Sequence, residues 1–126
     1  MSRYLLDANS AIYALSGVFP LMRARFEATE PGDIAISAIS FAEIALGSHI
    51  GRPPTVEALE AFVATIPILP FDEAAARKYA ELPFRRARFD RLLAAHALSI
   101  GATVITNNEA DFADTPGLKV ENWAAE

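Results

Sequence analysis

The stretch that decides the fold is "FDRLLAAHALSIGATVIT", residues 89–106. Its first twelve residues are apolar on nearly every side, which marks a helix buried all round rather than one lying on a surface. Gly101 follows as a C′ residue, the position where a left-handed turn ends a helix. "TVIT" (103–106) then reads as a short buried strand. A helix buried on all sides and feeding directly into a strand belongs to an α/β unit, in which helices cover a parallel sheet.

The same alternation extends in both directions. "RYLLD" (3–7) is a short apolar run ending in an acid, and "NSAIYAL" gives a helix ended near Gly17. "FPLMRARFEAT" (19–29) is a second helix with Pro20 in its first turn. "IAIS" (34–37) is a strand followed by a helix from Ser40 to Gly47. Residues 56–66 place apolar side chains at 56, 59, 62, 63 and 66, a helical period. "ILPF" (68–71) is a third strand, Asp72 caps "EAAARKYAEL", and Pro83 stops it. "NEADF" is a single helical turn and "LKVENW" (118–123) a terminal strand. The expected fold is one domain over 1–126, with a mainly parallel sheet of four to five short strands covered on both faces.

Composition narrows the function. The 126 residues are 52% hydrophobic and 21% charged, an ordinary globular balance. No apolar run approaches a membrane span, and the N-terminus enters a strand with no room for a signal peptide. Cytoplasmic residence is the expectation. With no cysteine, thiolate catalysis and cysteine-ligated zinc are excluded. The net charge of −5 argues against a nucleic-acid partner until its distribution is considered. Arg77, Lys78, Arg85, Arg86, Arg88 and Arg91 put six of the eleven basic residues between positions 77 and 91. Glu73–Arg77 and Arg77–Glu81 have helix-pair spacing, and Arg91 falls in a first turn where the dipole disfavours a cation. Arg85, Arg86 and Arg88 are the candidates to face an anionic backbone.

In parallel sheets, functional groups gather beyond the carboxyl ends of the strands. Four acids have that address: Asp7 after the first strand, Glu43 in the helix after the second, Asp90 opening the buried helix, and Asp111 just past the fourth strand. Each has a local explanation. Asp7 and Asp90 suit helix N-caps, Asp111 suits a surface loop, and Ser40 with Glu43 matches a capping box. Local explanations do not account for the shared address. Converging carboxylates repel one another unless a cation neutralises them. Hard oxygen ligands without Cys or clustered His select Mg²⁺, with Mn²⁺ able to substitute, and such ions act on phosphate esters. His49 and His96 offer the rival of a metal-independent ribonuclease, but the first reads as exposed and the second as buried far from the strand ends. A receiver-type phosphoacceptor domain is another rival, but it wants an aspartate closing a middle strand, which neither "IAIS" nor "ILPF" supplies, and a lysine on a late strand, where the only one, Lys119, sits in the terminal strand.

"YLLDAN", "ISAISFAEIALG", "FDRLLAAHAL" and "ATVITNN…DF", closing with "PGL.VENW", resemble in order the motifs of PIN-domain ribonucleases, and especially VapC toxins of toxin–antitoxin pairs. The resemblance covers essentially the whole chain. It implies a three-layer α/β/α sandwich, a homodimer, Mg²⁺- or Mn²⁺-dependent endonucleolytic cleavage of transfer or ribosomal RNA to 5′-phosphate and 3′-hydroxyl ends, and inhibition by a VapB-type antitoxin. A housekeeping PIN nuclease without an antitoxin is the variant of this reading. Carried across by position, the metal-binding acids fall on Asp7, Glu43 and Asp90. The fourth acidic position falls on Asn108, with Asp111 as its replacement. Asn9 and Thr106 match groups that orient carboxylates or water.

Overall fold

The computed structural model describes residues 3–83 and 89–124. Five strands form one sheet: β1 (Tyr4–Leu6), β2 (Ile34–Ser37), β3 (Ile68–Leu69), β4 (Thr103–Ile105) and β5 (Val120–Glu121). Their order is β3-β2-β1-β4-β5, and every neighbouring pair is parallel. The helices are α1 (Ala8–Ser16), α2 (Pro20–Ala28), α3 (Ala38–His49), α4 (Val56–Val63), α5 (Glu73–Glu81) and α6 (Phe89–Ile100). Single 3-10 turns occupy Pro31–Asp33 and Glu109–Phe112. The expected α/β/α sandwich is the observed one, with the outer strands shorter than the apolar runs that predicted them.

Period-two alternation along the central strands separates two cores. Leu6, Ile34, Ile36 and Ile105 face one side, where they pack with Ala11, Met22, Ile44 and Leu59. Leu5, Ala35 and Val104 face the other, against Leu93, Ala94, Ala97 and Phe112. Small side chains dominate the second core because α6 lies close over the strands, as its buried Leu93-Ala94-Ala95-His96-Ala97 run requires. Gly101 ends α6 at φ +68° and Gly17 ends α1 at φ +70°, both in the left-handed region where glycine is favoured. Among the described residues, no helix is long and apolar enough to cross a membrane.

Helix starts correct two expectations. The N-cap of α3 is Ser37, whose hydroxyl accepts from the Ile39 N–H at 3.0 Å. Ser40 is therefore a residue of the first turn, and the Ser40–Glu43 capping box does not form. Both serines precede an apolar helical run, and the reading had given Ser37 to the strand alone. Asp90 sits inside α6, one residue past its start, so it is not an N-cap either. Arg91, expected to be disfavoured in that first turn, is buried and donates to Thr115 Oγ1 (2.9 Å) and Asp114 Oδ2 (3.2 Å). Those partners offset the dipole and tie α6 to the loop that leads into β5.

The C-terminal segment is held by one large side chain. Trp123 is 2% exposed and meets Tyr4 and Phe26 edge-on, with ring centroids 5.0 and 5.6 Å away. Its Nε1–H donates to Glu121 Oε1 (2.9 Å), which also accepts from Arg25 at 2.6 Å. Trp123→Ala is expected to lower unfolding free energy by about 3–5 kcal/mol. Denaturant titration followed by circular dichroism measures it, and Trp123→Phe is expected to recover most of the loss.

Candidate active site

Strand register builds the site. Leu6 pairs with Ile36 on one side and Ile105 on the other, so the next residues in the row are Ser37, Asp7 and Thr106. The Asp7 N–H continues the ladder by donating to the Ile105 carbonyl at 3.0 Å. Asp7 thus stands at the carboxyl edge of the central strand, where chain order reverses between β1 and β4. Its Oδ1 accepts from the Ser10 N–H at 2.8 Å and caps α1. That bond fixes the carboxylate and leaves the cap no use for Oδ2. Capping and a ligand role are therefore compatible in Asp7.

Glu43 lies on α3, six residues past its N-cap. Its carboxyl pKa is raised, first by burial, then by the negative charge of Asp90, then by that of Asp7. Three acids from three separate elements therefore share one electrostatic field. With the capping box absent, repulsion from two other carboxylates is the main interaction that identifies Glu43. Among the described residues, no three His, Cys, Asp or Glu side chains stand close enough to enclose a metal ion as they are. The donor set itself, hard oxygens on fixed backbone, fits Mg²⁺ or Mn²⁺.

The fourth acid behaves differently. Asp111 is exposed on the 3-10 turn after β4, and its Oδ2 accepts from Asn108 Nδ2 at 2.6 Å. The two candidates for the fourth acidic position are thus bonded to each other. Thr106 is fully buried, and its Oγ1 accepts from the Asn108 N–H at 3.0 Å, so it shapes this loop rather than touching a carboxylate through that bond. Asn9 is exposed in the first turn of α1, beside Asp7 in sequence. Arg85, Arg86 and Arg88 lie outside the described residues.

Three contributors escaped the sequence reading. Asn107 Nδ2 donates to the Tyr13 hydroxyl at 3.1 Å and joins the end of β4 to α1 across 94 positions. Ser37 is the cap of the Glu43 helix. His96, expected far from the strand ends, has its Nδ1 2.8 Å from Ser37 Oγ, at the carboxyl end of β2. Only Ser37 had a local signal, a serine closing an apolar strand just before a helix.

Residues 4–118 match the PIN-domain family model. The chain is 30% identical to the tRNA(fMet)-specific endonuclease VapC of Shigella flexneri, covering 98% of this chain and all of that one. It is 26% identical to ribonuclease VapC2 of Haemophilus influenzae, over 98% and 99%. Among solved structures, the VapBC2 complex of Rickettsia felis on a promoter DNA fragment superposes with a TM-score of 0.84. It is 28% identical over 95% of this chain and 98% of that one. The DNA-bound VapBC of Salmonella typhimurium gives 0.82 at 29% identity, over 98% and 99%.

The raised carboxyl has a measurable sign. A carboxyl whose folded pKa exceeds its unfolded value binds more protons when folded, so stability falls as pH rises from the unfolded pKa through the folded one. In EDTA at neutral pH, Glu43→Gln is expected to melt above wild type. The gap should close as pH falls through the folded carboxyl's titration, and calorimetric melts from pH 4 to 8 measure it.

Proposed function

The chain belongs to the PIN-domain family and to its VapC ribonuclease branch, and from that premise we propose that it is a toxin endoribonuclease that hydrolyses RNA phosphodiesters at Asp7, Glu43 and Asp90. The observation that carries this is the shared field of the three carboxylates, felt by Glu43 from both Asp90 and Asp7. Asp7 and Asp90 would hold Mg²⁺, or Mn²⁺ in its place, with Glu43 on the ion or on its water. When bound, the ion lowers the pKa of the attacking water and offsets charge on the phosphate in the transition state.

The chain's own residues do the placing. The Ser10 N–H holds Asp7 at the edge of the central strand. The first turn of α6 presents Asp90, and α3 presents Glu43. Asn108 and Asp111, bonded together after β4, would help to hold a second ion. Arg85, Arg86 and Arg88, close to Asp90 in sequence, would grip the RNA backbone beside the scissile bond. The products would carry 5′-phosphate and 3′-hydroxyl ends, and a structured RNA such as transfer or ribosomal RNA is the substrate class.

The cytoplasm, where such RNA resides, is the proposed location. The proposed inhibitor is a VapB-type antitoxin. A cavity of about 320 Å³ between α1, α2 and α4 is lined by Tyr13, Phe19, Met22, Phe26 and Phe62, with Arg23 and Glu27 among its polar lining residues. It suits an apolar helix, and a basic side chain extending from that helix would compete with the ion for the carboxylates. The homodimer is better served by the end of α3, where Leu46 and the C-cap residue Ile50 are 62% and 58% exposed.

The decisive assay is cleavage of total transfer RNA by purified protein, with Mg²⁺ and with EDTA. Asp7→Asn and Asp90→Asn are each expected to lower the rate by roughly 10²- to 10³-fold, and EDTA to abolish it. Cleavage that persists through chelation and both substitutions would refute the assignment.

A further inference from the structure

His96 is a buried titratable side chain that the proposed chemistry leaves unused. Its ring is 1% exposed, lies on the second turn of α6 and meets Phe71 edge-on at 5.8 Å. Burial holds its pKa below the usual histidine range, against a weaker opposing pull from Asp72, so the ring is neutral at pH 7. Its Nδ1 lies 2.8 Å from Ser37 Oγ, and Ser37 is fully buried too. The Ser37 oxygen already accepts from the Ile39 N–H as the cap of α3. With one lone pair taken by Ile39, the hydroxyl keeps a proton and a second lone pair for Nδ1, and the ring tautomer decides which partner donates. Either partner alone would be a buried polar group without its bond.

The two ends of this bond matter. Ser37 starts the helix that carries Glu43, six residues on, and His96 lies six residues past Asp90 on α6. At 1.5 Å per residue, each carboxylate-bearing residue is about 9 Å along its helix from the bond. The bond is thus a strut between the two helices, placed at equal distance from two groups that repel each other. The geometry points to Ser37 and His96 as a positioning pair that fixes α3 against α6 and so sets the separation of Glu43 and Asp90. This inference rests on the reading of those acids as cation-holding groups.

A bond that served only packing would cost stability without a selective effect on the cation. The test uses the full chain in four variants. His96→Leu removes the ring's partner atom for Ser37. His96→Asn keeps a polar group near the position of Nδ1, and Ser37→Thr keeps both hydroxyl and cap. Ile100→Val, partly buried against the core at the far end of α6, serves as the control for lost stability. Two readouts apply: Mn²⁺ binding by calorimetry, and amide shifts in ¹H–¹⁵N spectra without divalent ions.

His96→Leu is expected to lose about 10- to 100-fold in Mn²⁺ affinity and to shift amides in α3 and at the start of α6. His96→Asn and Ser37→Thr should stay within about twofold of wild type, well inside that loss, and Ile100→Val should lose stability but not affinity. Wild-type affinity in His96→Leu, or an equal loss in Ile100→Val, overturns the inference. So does a His96→Leu chain that does not fold where Ile100→Val does, since the pair would then support the fold rather than the site. If wild type binds no Mn²⁺, the cation reading fails. The metal-free spectra then judge the pair alone: shifts confined to α3 and the start of α6 sustain it, and unchanged shifts overturn it.

Discussion

The pairing of β1 with a parallel neighbour on each side is the constraint on which the site depends. Once Leu6 is registered against Ile36 and Ile105, Ser37, Asp7 and Thr106 must follow side by side, at strand spacing of about 4.8 Å. A slip of one residue in either pair would exchange the two cores, moving Ile36 or Ile105 to the side now packed with alanines. The hydrophobic pattern therefore specifies the site's geometry although none of its apolar residues takes part in chemistry.

What each residue in that row does follows from its side chain. Asp7 caps α1, Ser37 caps α3, and Thr106 holds the Asn108 N–H. Three strand ends are thus converted into fixed starting points for the segments that follow. Rigid starting points are what a cluster of like charges requires, because the scaffold must resist a repulsion that flexible loops would relieve. The Glu43 carboxyl pKa is raised by burial first and then by the charges of Asp90 and Asp7.

Local signals carried much of this. The all-round apolar run of α6, its glycine stop and the short β-branched strand made the layered fold legible, and the strand-end rule pointed to Asp7, Glu43 and Asp90. The errors fell where two local signals competed or where distance in sequence was large. Ser37 and Ser40 both satisfy cap chemistry, and only the end of the β2 ladder chooses between them. The Ser37–His96, Arg91–Asp114 and Tyr13–Asn107 contacts span 59, 23 and 94 positions. No period or motif encodes such pairs, since they arise only when helices settle on the sheet.

The acidic balance of the chain raises a last question, how a protein of net charge −5 is to hold RNA. Global charge acts at a distance and is screened within about 8–10 Å in physiological salt, so the local arrangement governs the encounter. Three of the six basic residues between 77 and 91 lie among the described residues, and all three are paired: Arg77 with Glu73 at 2.6 Å, Lys78 with Glu81 at 3.4 Å, and Arg91 with Asp114 and Thr115. Arg85, Arg86 and Arg88, the proposed backbone contacts, come just before Asp90 in sequence. On the acidic side, Asp7, Glu43 and Asp90 lie where a divalent ion would cancel much of their charge. With that ion in place, contact with RNA would depend on the charge local to the site rather than on the formal total.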